Sequence, residues 1–95
     1  MNKHRIVFSP RARERLEEIA DYLYHQQLSR KFILDYLNKF ESWLEKILIQ
    51  FPESGTPMPQ YGEGIRRIAY ERYSFVYRIN NDVIEILTIY RENLP

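Results

Sequence analysis

A chain of 95 residues, 44% hydrophobic and 28% charged, is large enough for one core and too small for two, so a single domain over residues 1–95 is expected. Its formal net charge of +1 excludes the strongly basic field that would by itself indicate nucleic-acid binding, and the lack of cysteine excludes disulfides, thiolate zinc sites and thiol catalysis. No run approaches the roughly 20 apolar residues of a membrane span, and the opening residues lack a signal peptide's apolar stretch, so a cytoplasmic protein without membrane contact is expected.

Residues 3–8 form a short β-type run that ends at Ser9-Pro10, a good N-cap followed by the residue preferred at the first helical position. Ala12, Leu16, Ile19, Ala20 and Leu23 then recur at spacings of three and four among arginines and glutamates, which predicts an amphipathic helix to about His25. Residues 26–29 are a connector with Ser29 as a second cap. From Arg30 to Phe51 the apolar positions Phe32, Ile33, Tyr36, Leu37, Phe40, Leu44, Ile47, Leu48 and Phe51 hold the helical period for about six turns. Pro52 stops that helix, and Gly55, Pro57, Pro59, Gly62 and Gly64 predict a loop.

Residues 64–91 alternate β-branched and aromatic residues in three runs, broken at Glu71-Arg72 and at Asn80-Asn81-Asp82, where Asn and Asp tolerate the positive φ of tight loops. This predicts an antiparallel meander. In its middle run Tyr73, Phe75, Tyr77 and Ile79 share a core-like face, and Ser74, Val76 and Arg78 share the other. The expected fold is α+β in the order β-α-α-β-β-β: a helical hairpin packed on one face of a mostly antiparallel four-stranded sheet. Periodicity does not fix the partner of the first strand, and residues 92–95 are too few for a further helix.

Arginine outnumbers lysine ten to four, which favours planar, bidentate contacts over diffuse attraction. Arg66, Arg67 and Arg78 can collect on or beside the sheet; the alternative is that Arg66 and Arg67 pair with carboxylates such as Glu41 or Glu45 and tie sheet to helix. His4 and His25 are far apart in the pattern and read as surface residues. With no Walker loop, glycine-rich phosphate cradle or paired-carboxylate motif, no cofactor and no metal are expected. Tyr22, Tyr24, Tyr36, Trp43 and Phe51 are too many large residues to vanish inside so small a core. A sheet edge and the grooves of the helical hairpin offer docking places for a partner's strand or amphipathic helix.

Taken together and in this order, IVFSPRARERLEEIADYL, FPESGTPMP, GIRRI and RYSFVYRINNDVIEILTIYR resemble the RelE/ParE superfamily of type II toxins over essentially the whole chain. The resemblance implies a RelE/ParE-like fold and a cognate antitoxin that wraps the toxin. It leaves two activities open. RelE-like and YoeB-like members cut mRNA on the ribosome by general acid/base chemistry, whereas ParE-like members poison DNA gyrase and are not known to be enzymes. The ribonucleases carry an arginine where Ser74 stands here, and YoeB-like enzymes place a glutamate between two prolines where Met58 lies between Pro57 and Pro59. No lysine follows Lys46, and Tyr90, Arg91 and Glu92 include no histidine acid.

These departures favour the ParE-like branch, with no catalytic residue and DNA gyrase as partner. The residues expected to carry toxicity are Arg66, Arg67, Arg78, Tyr90 and Arg91; the antitoxin is expected on Tyr22, Tyr24, Tyr36, Trp43 and Phe51, with operator DNA reached only through it. The alternatives are a ribosome-dependent mRNA endoribonuclease and an inactive homologue that serves only as antitoxin partner or co-repressor.

Overall fold

The computed structural model describes residues 4–92, so Lys3 of the expected first strand and residues 93–95 of the tail lie outside the described residues. In chain order the elements are β1 (Arg5–Phe8), α1 (Pro10–His25), α2 (Arg30–Gln50), β2 (Thr56–Pro57), a 3-10 turn (Pro59–Tyr61), β3 (Ile65–Tyr70), β4 (Tyr73–Asn80) and β5 (Val83–Arg91). The sheet has five strands in the order β1-β5-β4-β3-β2, with β1 parallel to β5 and the other pairs antiparallel. The expected four-stranded sheet is therefore one strand short. The additional strand, β2, lies inside the proline-glycine loop. It pairs Thr56 and Pro57 with Arg67 and Arg66, and the Met58 amide then donates to the Ile65 carbonyl at 2.8 Å. At a sheet edge the missing N–H of Pro57 costs little, so the loop can run as a strand there.

Both helices start as their sequences specify. The Ser9 hydroxyl accepts from the Ala12 amide at 3.0 Å and the Ser29 hydroxyl from the Phe32 amide at 3.1 Å, satisfying donors that a bare helix start leaves open. Ser9 also donates to the Leu87 carbonyl at 2.8 Å. Leu87 is the extra residue of a bulge in β5, because Val76 pairs with Thr88 while Tyr77 pairs with Ile86. One hydroxyl thus caps α1 and joins it to the strand beneath. The other end of α1 closes with the Leu28 amide on the Leu23 carbonyl, the Gln27 amide on the Tyr24 carbonyl and Gln27 at a φ of 62°, a left-handed cap that glycine usually fills.

The two hairpin loops are two residues each, with Glu71 and Asn81 at positive φ (58° and 57°) in the first loop position. Asn80 belongs to β4 and pairs with Val83, so the second turn is one residue tighter than expected.

Ala12 and Ile19 of α1 and Phe40, Leu44 and Leu48 of α2 pack on Tyr73, Phe75, Tyr77, Ile84, Ile86 and Ile89 of the sheet. Phe40 is the centre of this core: its ring meets Tyr36, Tyr70, Tyr73 and Phe75 edge-on at centroid distances of 4.9 to 6.0 Å. Removing such a buried aromatic costs about 3–5 kcal/mol. The outer edge of β1 is blunted by Arg13, whose Nε donates to the Phe8 carbonyl at 3.3 Å.

Candidate functional site

Paired residues across antiparallel strands share a face, so the register sorts the candidate side chains into two groups. Arg67, Ser74, Arg78, Glu85 and Tyr90 belong to the face turned away from the helices, while Arg66, Tyr73 and Arg91 belong to the helix side. The five residues expected to carry toxicity are thus not one cluster.

On the open face each arginine has a carboxylate. Arg67 reaches Glu92 at 2.5 Å and the Ser74 hydroxyl at 3.0 Å, and Ser74 itself donates to Glu92. Arg67 and Glu92 side chains are 32% and 27% exposed, and together they cover Ser74, which is wholly buried. Arg78 pairs with Glu85 at 3.0 Å. The expected alternative for Arg66 and Arg67, pairing with Glu41 or Glu45, does not hold. Arg66 instead donates to the carbonyls of Glu53 (3.0 Å) and Gly55 (2.8 Å), because β2 brings the loop, not α2, alongside it. Arg66 is a tether of the loop.

The same loop is fastened from below by Tyr77, which donates to the Pro52 carbonyl at 2.7 Å and accepts from the Gly55 amide at 2.9 Å. A Cβ on Gly55 would stand 2.6 Å from the Tyr77 oxygen and 2.8 Å from the Arg67 carbonyl, so only glycine fits this close approach. Burial pushes the Tyr77 hydroxyl's pKa up from its usual 10.0.

At the far end of β5 the helix side opens into a cavity of about 150 Å³ lined by Arg15, Glu18, Ile19, Tyr22, Tyr73, Ile89, Tyr90 and Arg91. The Arg91 guanidinium lies over the Tyr22 ring, 5.4 Å from its centroid. The neighbouring Tyr22 side chain is the main cause that raises the Arg91 pKa. Arg15 is fixed on both sides, by the Ile89 carbonyl at 2.9 Å and by Glu18 at 2.5 Å. Tyr73 is raised above its usual 10.0 by burial, so the hydroxyl is neutral at physiological pH.

The aromatic residues expected to meet a partner divide as well. Tyr24 and Phe51 are 69% and 61% exposed and Tyr22 is 46% exposed, whereas Tyr36 and Trp43 are half-buried, Tyr36 between Phe32 and Phe40 and Trp43 stacked on Tyr70 at 4.4 Å. Phe32 and Leu34 are exposed too and were not among the expected residues. Among the described residues no group of three or more His, Asp or Glu is placed to hold a metal, and no helix is long and apolar enough to cross a membrane.

Residues 6–93 match the family model described as the ParE toxin of the type II toxin-antitoxin system parDE. The chain belongs to the ParE toxin family. The fold agrees with that membership. It is similar to a chain in the structure of the chromosomal ParDE toxin-antitoxin system from P. aeruginosa, with a TM-score of 0.76, 22% identity, 98% of this chain and 100% of that chain covered. It is also similar to a chain of the RelBE2 toxin-antitoxin complex from Mycobacterium tuberculosis, with a TM-score of 0.60, 17% identity, 95% of this chain and 99% of that one covered. No curated protein matches the sequence at a significant level. In this ParE-family toxin the residues that the sequence did not mark as part of a site are Arg15, Tyr73 and Glu92, and Ser74 was marked only for the arginine that it replaces. Ser74 and Glu92 become neighbours only once the β4–β5 register puts Ser74 opposite Tyr90 and leaves Glu92 on the next diagonal.

Proposed function

We propose that this toxin acts on DNA gyrase, stabilises the cleaved-DNA state of that enzyme, and is silenced by a cognate antitoxin that folds over it. The observation that carries the reading is the state of the open sheet face. Where the ribonuclease branch needs a base, an acid and unpaired cations, this face holds a buried serine whose hydroxyl is committed to Arg67 and Glu92, and a second arginine committed to Glu85. Met58 stands at the position of the glutamate base and no lysine follows Lys46. General acid/base catalysis has little to work with there. A protein surface can still favour one state of a target enzyme, because a ligand shifts an equilibrium by its differential affinity for the two states. Family membership and the solved relative from a ParDE system support the antitoxin as partner.

One observation favours the ribonuclease reading. Arg67 lies 3.0 Å from the Ser74 hydroxyl, so a guanidinium does reach the place where the ribonucleases carry an arginine. Two reactions on the purified, antitoxin-free protein separate the readings. With gyrase and supercoiled plasmid, linear or nicked DNA is expected to accumulate; with translating ribosomes and a defined mRNA, the message is expected to stay intact. Codon-positioned cuts in the mRNA together with normal gyrase activity overturn the proposal.

A further inference from the structure

Arg67 and Arg78 of the open sheet face are each held by a carboxylate of that face, Arg67 by Glu92 at 2.5 Å and Arg78 by Glu85 at 3.0 Å. We propose that Glu92 and Glu85 are specificity-determining residues: they occupy two guanidinium groups that would otherwise take phosphates of a single-stranded RNA backbone, and so keep this toxin off RNA. The inference rests on the non-ribonuclease reading above and names the residues that enforce it.

The register places the two arginines as a pair. Arg67 is opposite Val76, so Arg78 is its diagonal neighbour on one face, and such positions lie roughly 7–8 Å apart. Two guanidinium groups so placed can follow a nucleic-acid backbone, and Tyr90, opposite Ser74 on that face, offers a ring on which a base can stack. Glu92 in turn sits as a ligand would. Its carboxylate accepts from Arg67 and from the wholly buried Ser74 hydroxyl, the two contacts that a phosphate oxygen would make there, so the chain fills an oxyanion site with its own acid. Stability does not account for the pairs, because all four side chains are partly exposed and ion pairs so open add little. Their effect is on charge: Glu92 and Glu85 cancel both cations where a backbone would run. Glu92→Gln removes the charge and keeps an acceptor for Ser74, so it tests this effect without uncovering the serine.

The probe is a fluorescent, unstructured RNA of roughly 10 nucleotides, titrated with the full chain and followed by anisotropy over a series of salt concentrations. The double variant Glu85→Gln/Glu92→Gln is expected to bind about tenfold more tightly than the parent at low salt, with a plot of log affinity against log salt steeper by about 1.4, or about 0.7 for each arginine set free. Each single variant is expected to give about 0.7, and adding Arg67→Gln to Glu92→Gln returns the slope to the parent's. Glu17→Gln makes the same charge change on the exposed side of α1 and is expected to bind like the parent. Circular dichroism of each variant confirms that the fold is kept. Three results overturn the assignment: a double variant that binds RNA no more tightly than the parent, a gain that survives Arg67→Gln, or an equal gain from Glu17→Gln. The gyrase reaction on the parent is read separately. A parent that leaves gyrase untouched defeats the gyrase reading, while the RNA titration alone decides the role of Glu92 and Glu85.

Discussion

Replacing Tyr77 by phenylalanine removes a single oxygen that fastens the 52–57 loop to the sheet. Two hydrogen bonds are lost, the donation to Pro52 and the acceptance from Gly55, each worth about 1 kcal/mol net. Gly55 is buried, so its amide is left without a partner and adds about 1–3 kcal/mol, while the half-buried Pro52 carbonyl can turn to water. The expected loss is therefore about 3 kcal/mol, which in a domain of this size lowers the melting temperature by roughly 12–24 °C. The effect has a pH signature. Burial raises the folded pKa of Tyr77 above 10.0, so the folded state keeps a proton that the unfolded chain releases. The contribution is present in full below pH 10 and is lost as pH rises through the folded pKa, so the gap between Tyr77→Phe and the parent narrows in alkali. Thermal melts of both proteins at neutral pH and above pH 10 measure it. A variant that melts within about 2 °C of the parent at neutral pH refutes the reasoning, because it means the loop is held without Tyr77.

Ser9→Ala is expected to cost about 2–3 kcal/mol, the sum of a helix cap and the bond to Leu87, whereas Ser9→Asp keeps the cap, cannot donate to Leu87, and falls between; urea titrations rank the three. Gln27→Gly relieves a side chain from a φ of 62° and is expected to stabilise by about 0.5–1 kcal/mol, seen as a higher urea midpoint with an unchanged slope. Tyr36, Tyr73 and Tyr77 all have pKa values raised chiefly by burial, so their tyrosinate absorbance is expected to appear only above pH 10.0 and to rise together with loss of the circular dichroism signal. Ionisation of all three below that pH, in a protein still folded, contradicts their burial.

Much of the fold was legible because local signals and the core pattern agree. Ser9-Pro10, Ser29 and Pro52 bound the helices, and the odd positions Tyr73, Phe75 and Tyr77 do face the core. What the pattern could not give is pairing. β2 is two residues in a proline-glycine stretch, and it is a strand only because β3 offers an open edge beside it and Arg66 and Tyr77 hold the loop there. The candidate site was half legible for the same reason. Arginines announce themselves in sequence, but whether Arg67 is an available cation depends on Glu92, whose position follows from the β4–β5 register and the bulge at Leu87. Alternation alone puts Ser74 on the outer face and predicts exposure; the Arg67–Glu92 pair folds over it and buries it.

The parallel pairing of β1 with β5 sets when the protein can exist at all. Ser9 and Leu87, joined by one hydrogen bond, are 78 positions apart in the chain. Ile84, Ile86 and Ile89, three of the fully or almost fully buried residues, also come from β5. A growing chain therefore has no closed core until its last strand has left the ribosome, and an interrupted one has no cavity at Arg91 to offer. Translation that stops before β5 leaves the buried residues of α1 and α2 without the strand that supplies Ile84, Ile86 and Ile89 to their core.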